Sequence, residues 1–381
     1  MISNRCEYFD NILKRGDANN LYHLNYPKLP DFYTVLDFET TMINLGKRAG
    51  DAIDYIKSGA TGHTFKIKTQ IDANQSKELA VKLTAYQQRS ELGTIDDEER
   101  PENAEVRMLN LLGEFVKKNI TPHIVLPVYS FHTELAPFIL PENEVPARSK
   151  KYKTFLEKCG KDQFFDTANV LVSEWVNGGD LLDMLRKEGH KLSLMEWKVI
   201  IFQIIFTLAV IQKKYPSFRH NDLKANNILM EITNKNSSDA AFAYEYDNQI
   251  FHVPDVGMQI RFWDFDFATI PNIINNQKVM ADYTSAANID ETPNRYYDVH
   301  YFFISLLNFF PNLEKTADIE LRLFIEKVLP RCFRSHPYVH SKHKRLMVNA
   351  ITIKGKVYEY PNEYCYPALL LEDDFFKEFK A

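Results

Sequence analysis

The segment Phe218-Arg219-His220-Asn221-Asp222-Leu223-Lys224-Ala225-Asn226-Asn227-Ile228-Leu229 packs an acid, a base and amides between apolar flanks. A polar connection between a helix and a strand does not require His, Asp, Lys and Asn at these offsets. Groups of these types can move a proton, position a reacting group and neutralise charge on it. A second acid ends the run Ile260–Asp266, which reads Ile-Arg-Phe-Trp-Asp-Phe-Asp. Upstream, Gly59 and Gly62 form a Gly-x-x-Gly between two β-rich runs, a pattern that any hairpin turn can carry. Lys82 closes the run Leu79-Ala80-Val81-Lys82.

These residues need elements to hold them. Ala52–Ile56, Thr64–Lys68 and Leu79–Thr84 are short β-rich runs separated by polar turns. Val106, Leu109, Leu112 and Phe115 recur at helical spacing, which predicts a helix over Asn103–Lys117 with Glu102 and Glu105 near its start. Ile124–Phe131 and Ala168–Val176 read as strands, the latter followed by Asn177-Gly178-Gly179-Asp180. A helical pattern runs from Asp180 to Tyr215, with Leu182, Leu185, Ile201, Ile205 and Leu208 as its core. A strand–loop region then reaches Ala268, and the remainder is mostly helical with a Pro/Tyr-rich tail. The division is an N-terminal extension over 1–45, a β-rich part over 46–176 with a surface insertion near 133–165, and a helical part over 177–381 with a polar insertion near 233–257. No internal repeat is present.

Composition sets the outer limits. The 381 residues include 27 Phe, 20 Tyr and 3 Trp, and charged residues make up 25%. That balance excludes a disordered chain. There are 13 glycines, roughly half of what average usage of about 7% would give. Net charge is −5, so no nucleic-acid footprint is expected. Cys6, Cys159, Cys332 and Cys365 form no C-x-x-C pair, which predicts a reduced, intracellular, cytoplasmic protein. The N-terminus lacks a signal-peptide apolar region. The longest apolar run, Val199–Ile211, is shorter than the roughly 20 residues that a bilayer requires, so a buried core helix is expected rather than a membrane span.

In this order the motifs resemble those of the eukaryotic-type protein kinase superfamily, over roughly residues 50–310. His220-Asn221-Asp222-Leu223 with Asn227 is similar to the catalytic loop, and Asp264-Phe265-Asp266 to the metal-binding D-F-G. The resemblance implies an α+β, bilobal fold, with a small β-rich lobe and a larger, trimmed helical lobe. It implies ATP and Mg2+ as cofactors and Ser/Thr hydroxyls of proteins as substrates. Asp222 would orient and deprotonate the hydroxyl, Lys224 would sit on the transferring phosphoryl group, and Asn227 and Asp264 would hold magnesium. Gly59 and Gly62 would cover the phosphates, Lys82 would bind them, and Glu105, with Glu102 as rival, would pair with Lys82. Ser173 would be a small gatekeeper, backbone groups of Glu174 and Val176 would pair with adenine, and Asp180 would reach ribose. Tyr297-Asp298-Val299-His300-Tyr301-Phe302 resembles the motif whose buried Asp, here Asp298, ties a long helix to the catalytic loop.

The chain departs from the family pattern at glycines: Lys57, Asp266 and Phe303 stand where Gly is usual. Asp266 tolerates the left-handed backbone that such a Gly often adopts, and it adds charge near the metals. No A-P-E follows Asp264. Such trimmed kinases, rich in Lys, Asn, Ile, Phe and Tyr, are similar to those of large DNA viruses, which would place the protein in a host cytoplasm or a virion. Two other readings fit parts of the pattern. His220-Asn221-Asp222-Leu223 also resembles choline-kinase-like enzymes that act on small molecules, and Asp266 and Asn221 suit a nucleotide-binding pseudokinase scaffold. The spacing of Cys332, His336, His340 and His343 suggests zinc. Its plainer reading, with Arg331, Arg334, Lys342, Lys344 and Arg345, is a basic surface for acidic substrates or phosphate. Tyr283, Thr284, Ser285 and Thr292 are candidate phosphorylation sites. Asn221 replaces the Arg that clamps a phosphorylated activation loop. Phosphatase treatment is therefore expected to leave activity unchanged, and a loss of transfer after dephosphorylation would refute this reading.

Overall fold

The computed structural model describes residues 5–6, 34–45, 47–48, 51, 53–59, 62–70, 76–139, 150–188, 192–233, 240–281, 284, 287–347, 351–353, 356–358 and 364–381. Most of the predicted extension 1–45 lies outside the described residues, as do the middles of both predicted insertions and Tyr283 and Ser285. The chain divides into two compact units. One comprises Met1–Lys117 and Val125–Trp175, the other Lys118–Ile124 and Val176–Ala381.

The first unit is built on five antiparallel strands: β1 (Asp54–Ser58), β2 (Gly62–Gln70), β3 (Ser76–Gln87), β4 (Pro127–Glu134) and β5 (Phe164–Glu174), in the order β1-β2-β3-β5-β4. β2 and β3 outrun their apolar centres because they pair residue for residue from Gly62↔Thr84 to Gln70↔Ser76. Gly62 is required by this pairing, since a Cβ there would stand 1.8 Å from the Leu83 carbonyl oxygen. The predicted strand at Ile124–Phe131 begins later, at Pro127. Ile124 instead bridges Phe262 within the second unit.

Helix α1 (Pro101–Lys117) opens on a proline, whose fixed φ suits a first turn. Its start is fastened to β3. Arg100, fully buried, donates to the carbonyls of Gln87 (2.8 Å) and Gly93 (2.9 Å), and the Tyr86 hydroxyl donates to Asn103 Oδ1 at 2.6 Å. The stretch near 133–165 is more than a surface insertion. It contributes α2 (Lys150–Cys159), whose Tyr152 and Phe155 are buried against His63 of β2, with ring centroids 4.5 and 4.4 Å apart.

The second unit begins with α3 (Leu181–Glu188) and centres on α4 (Leu194–Lys214). A capping box of Ser193 and Glu196 starts α4, satisfying otherwise orphaned N–H groups. With 21 residues, α4 is longer than its apolar run and by length and composition could cross a membrane, so the length argument from sequence fails. Burial supports the core reading, since 83% of its most apolar stretch is enclosed by the protein.

The polar insertion and the C-terminal tail complete this core. The polar stretch near 233–257 folds into the hairpin β7 (Ala241–Tyr246) and β8 (Gln249–Pro254), between β6 (Ile228–Ile232) and β9 (Met258–Phe262), which pair with each other. Its turn residues Asp247 and Asn248 both take positive φ, the signature of a tight two-residue hairpin. Tyr244 and Phe251 pack on Phe202 of α4. Phe376 and Phe379 pack on the same ring. Helices α5 (Tyr297–Phe309) and α6 (Ile319–Val328) follow, and Phe303, at the position where the family resemblance leads Gly to be expected, is buried against Phe324 of α6.

Burial makes His63 of the first unit and His300 of the second acid-sensitive. Enclosure lowers His63 and His300 to about 4 from an ordinary value near 6.5. His300 donates from Nε2 to the Phe333 carbonyl at 2.8 Å, and its Nδ1 has no partner to receive a second proton's bond. Both residues are neutral in the folded and unfolded chains above pH 6.5. As pH falls from 6.5 toward 4, only the unfolded chain takes up these protons, so stability drops, by up to about 3 kcal/mol per histidine. Denaturant titrations across this range are expected to show that loss, and a His300→Gln variant should show a shallower one in the second unit.

Candidate active site

After α4 the chain turns at Arg219, which exchanges backbone hydrogen bonds with Thr269 at 3.1 and 3.0 Å. The loop that follows is held from below by Asp298 in the first turn of α5. Asp298 accepts from the backbone N–H of His220 at 2.7 Å and of Asn221 at 2.9 Å. Burial pushes the Asp298 carboxyl above its ordinary value, against the lowering effect of His220 and these bonds. Asn221 is thereby held at φ 62°, a left-handed conformation that asparagine accepts better than most side chains. His220 donates from Nε2 to the Trp263 carbonyl at 3.2 Å and packs against Phe265.

This scaffold presents Asp222 with three donors. Lys224 Nζ and Asn227 Nδ2 reach its Oδ2 at 2.8 and 2.9 Å, and Arg345 Nη2 reaches its Oδ1 at 2.6 Å. Arg345 also donates to the Asn221 carbonyl and lies over the Tyr301 ring, 4.1 Å from its centroid. Burial opposes the charge of Arg345, but Tyr297, Tyr301 and Asp222 outweigh it and hold its pKa above the ordinary value. The sequence reading assigned Arg345 to a basic surface; the structure buries it on the acid of the loop. Among the described residues no three His, Cys, Asp or Glu side chains gather as a metal site, so the zinc spacing of Cys332, His336, His340 and His343 does not become one.

Asn227 and Asp264 come to the same end of the β6–β9 pair. Ile228 is paired with Phe262, and Trp263 donates its N–H to the Asn227 carbonyl at 3.2 Å. Asp264 takes φ 62°. Both donations of the Asn227 amide go to Asp222, at 2.9 Å to its carbonyl and 2.9 Å to its Oδ2, so the amide oxygen of Asn227 stays available to another group. An amide oxygen and a carboxylate are hard oxygen donors of the kind magnesium prefers, and the pair fits that ion.

The left-handed backbone expected at Asp266 falls instead on Asp264, and Asp266 has no positive φ. Its charge is answered by an ion pair with Lys278, which lies over the Phe267 ring. The absent glycine is thus not missed by the backbone. The segment beyond is held without any phosphate. Arg219, fully buried, donates to Asp290 Oδ1 (2.6 Å), the Thr292 carbonyl (2.9 Å) and the Asn288 carbonyl (2.7 Å). Asn221 Nδ2 donates to the Phe267 carbonyl at 3.0 Å. Sequence reasoning gave Arg219 no role, although a buried-loop arginine beside the His-Asn-Asp triplet was the available signal.

In the first unit Lys82 Nζ meets both carboxylate oxygens of Glu105, at 2.6 and 2.9 Å. The rival Glu102 is taken by Arg100 Nε at 3.3 Å. Gly59 donates to the Gly62 carbonyl at 2.8 Å and closes the β1–β2 turn, while a Cβ on it would meet only that oxygen, at 3.7 Å. Ala60 and Thr61 lie outside the described residues. The Glu174 carboxylate accepts from Arg5 and from the Leu126 N–H, and the Glu174 N–H is already given to the Leu126 carbonyl at 3.1 Å. The other backbone group of Glu174, its carbonyl, accepts from the Ser173 hydroxyl at 3.4 Å. In the second unit, Asp180 accepts from the Asp183 N–H at 2.9 Å, so it caps α3, and Val176 is buried.

A loop aspartate with lysine two residues on and asparagine five on, hung from a buried helix aspartate, places the protein in the protein-kinase class, and the β-rich unit with its Lys82–Glu105 pair agrees. Residues 70–352 match the poxvirus serine/threonine protein kinase family. The chain is 38% identical over 393 residues, 99% of its own length and 80% of the other's, to a protein of Acanthamoeba polyphaga mimivirus that bears a serine/threonine-protein kinase name. A second mimivirus protein with such a name is 42% identical over 83 residues, 22% of this chain and 21% of that one. The chain belongs to the poxvirus serine/threonine protein kinase family. Its resemblance to kinases of large DNA viruses is thereby established.

Arg345 is the residue whose loss tests this geometry most directly. Removing one partner of a buried ion pair costs about 3–5 kcal/mol. Arg345→Met is expected to lower the melting transition of the second unit by several degrees. Arg345→Lys should rescue little, because an ammonium cannot serve the Asn221 carbonyl and Asp222 Oδ1 with a planar fork.

Proposed function

We propose that the protein transfers the γ-phosphate of ATP, with magnesium, to serine or threonine hydroxyls of protein substrates. The observation that carries this reading is the Asp222 carboxylate held jointly by Lys224 and Asn227, at 2.8 and 2.9 Å. A carboxylate fixed in this way presents an acceptor for the proton of an attacking hydroxyl, and its pinned rotamer removes the entropy cost of orienting it at each turnover. Lys224 also stands where a positive charge would meet the transferring group, as in kinases that act on serine and threonine.

Mg-ATP supplies the phosphoryl group and the divalent charge that offsets it. The amide oxygen of Asn227 and the carboxylate of Asp264 are the residues that would hold the ion. Lys82, oriented by Glu105, would hold the α/β-phosphates, with the Gly59–Gly62 turn over them. The Glu174 carbonyl and the Val176 N–H would meet adenine. Asp180, which caps α3, would meet ribose through its carboxylate. The pairing of Asp266 with Lys278 supports an enzyme over a scaffold, since it answers the charge of one of the two residues, Asp266 and Asn221, that suit the latter.

Radiolabelled Mg-ATP with a panel of proteins and small alcohols tests the assignment. Wild type should label protein serine and threonine. Asp222→Asn should lower the rate by about 10²–10⁴-fold, the usual contribution of a positioned base. Equal transfer by both proteins would remove Asp222 from the mechanism, and labelling of small alcohols alone would replace the substrate class.

A further inference from the structure

The loop that carries Arg345 has a second, unassigned face. Val339 and Leu346 bridge as an antiparallel pair, and the Arg345 carbonyl accepts from the His340 N–H at 2.8 Å. His340 Nδ1 accepts from the N–H of Lys342 (3.2 Å) and of His343 (3.0 Å), which closes the turn from within. Lys344 sits at φ 55°, a left-handed conformation that a lysine adopts only where its surroundings impose it. The turn therefore has one defined shape, fastened at its base to Asp222 through Arg345.

Lys342, His343 and Lys344 line a recess of about 260 Å³ together with Lys224, Asn226 and Asn308. No carboxylate lines it. Among the described residues neither Lys342 nor Lys344 has an ion-pair partner. Desolvation, with smaller contributions from the neighbouring His340, Lys342 and Arg345, holds His343 below its ordinary pKa. Three lysines with amide donors between them make a site for an anion, most of all one with several acceptor oxygens. Lys224 fixes where that anion lies, because the same Nζ is 2.8 Å from Asp222 Oδ2. A ligand in the recess is one lysine away from the carboxylate that would receive the acceptor hydroxyl.

We propose that this recess is a substrate-selecting site that binds an acidic or already phosphorylated side chain of the protein segment being phosphorylated. The inference rests on the kinase reading above. With about 3.3–3.6 Å per extended residue, the anionic side chain falls within roughly three residues of the acceptor hydroxyl. A phosphoserine suits the recess better than a glutamate, since its extra oxygens and charge engage more of the lysines.

Four peptides that differ only at positions flanking one serine provide the test, bearing alanine, lysine, glutamate or phosphoserine there. Wild type is expected to favour the glutamate and phosphoserine peptides by about tenfold in kcat/KM, a preference that shrinks at high salt as exposed ion pairs do. The double variant Lys342→Glu, Lys344→Glu should invert the preference toward a lysine-bearing peptide, a gain that misfolding cannot mimic. Equal use of all peptides by wild type, or an unchanged preference in the double variant, overturns the proposal. Fluorescence anisotropy of the labelled phosphopeptide reads the recess without chemistry. Tighter binding than the alanine peptide, lost in the double variant, with no transfer to any peptide, would keep the recess and remove the kinase reading. Absence of both transfer and discrimination would remove both.

Discussion

The second unit depends on one buried carboxylate. Asp298 has no access to water and would be costly to ionise there were it not for two backbone donors, His220 and Asn221, that point at it from consecutive residues. Hydrogen bonds to a charged group are worth about 1.5–3 kcal/mol each, enough to fix a loop that has little regular structure of its own. Asn221, in its left-handed conformation, turns with His220 so that both consecutive N–H groups meet the one carboxylate. Everything that follows in the loop inherits its direction from that residue, Asp222 above all.

The charges around Asp222 balance in a way that a simpler site would not need. One carboxylate faces Lys224 and Arg345, with an amide from Asn227 on the same oxygen as the lysine. Arg345 completes the loop as a strut: it joins the Asn221 carbonyl, the Asp222 carboxylate and the Tyr301 ring of α5 in one planar group. Phe267 is likewise tied by the Asn221 amide, and Asn288, Asp290 and Thr292 by the Arg219 guanidinium. At Asp266, where the class usually has glycine, the side chain has an ion-pair partner of its own in Lys278, whereas Phe303 fills its place by packing on Phe324.

What could be read from the sequence follows a physical division. Asp222, Lys224 and Asn227 lie within six residues of one another, and their roles depend on spacing along one loop, which a sequence displays. The strands around Lys82 and the helix that carries Glu105 declared themselves by alternation and by the 3.6-residue period, although β2 and β3 ran longer because pairing, not apolarity, decides where strands stop. Arg345 could not be found that way. It lies 123 residues from Asp222, among histidines and lysines whose composition suggests a surface. The hairpin β7–β8 was hidden for a related reason: its exposed face alternates with Tyr244, Phe251 and Val253, and a stretch read for average polarity conceals that period. The helix α2 was hidden by the prolines and lysines around it, which obscured the two aromatic residues that anchor it.

The reach of Arg345 also orders events in time. Synthesis is vectorial, and domains generally fold as units while the ribosome still works downstream. Asp298 can capture the loop as soon as α5 has emerged, but the partner for Asp222 Oδ1 is translated 123 residues after Asp222 itself. Phe376 and Phe379, which pack on Phe202, emerge later still. A nascent chain therefore holds the three loop residues in sequence well before it can hold them in place, and the fully braced carboxylate belongs only to a polypeptide that has passed residue 345.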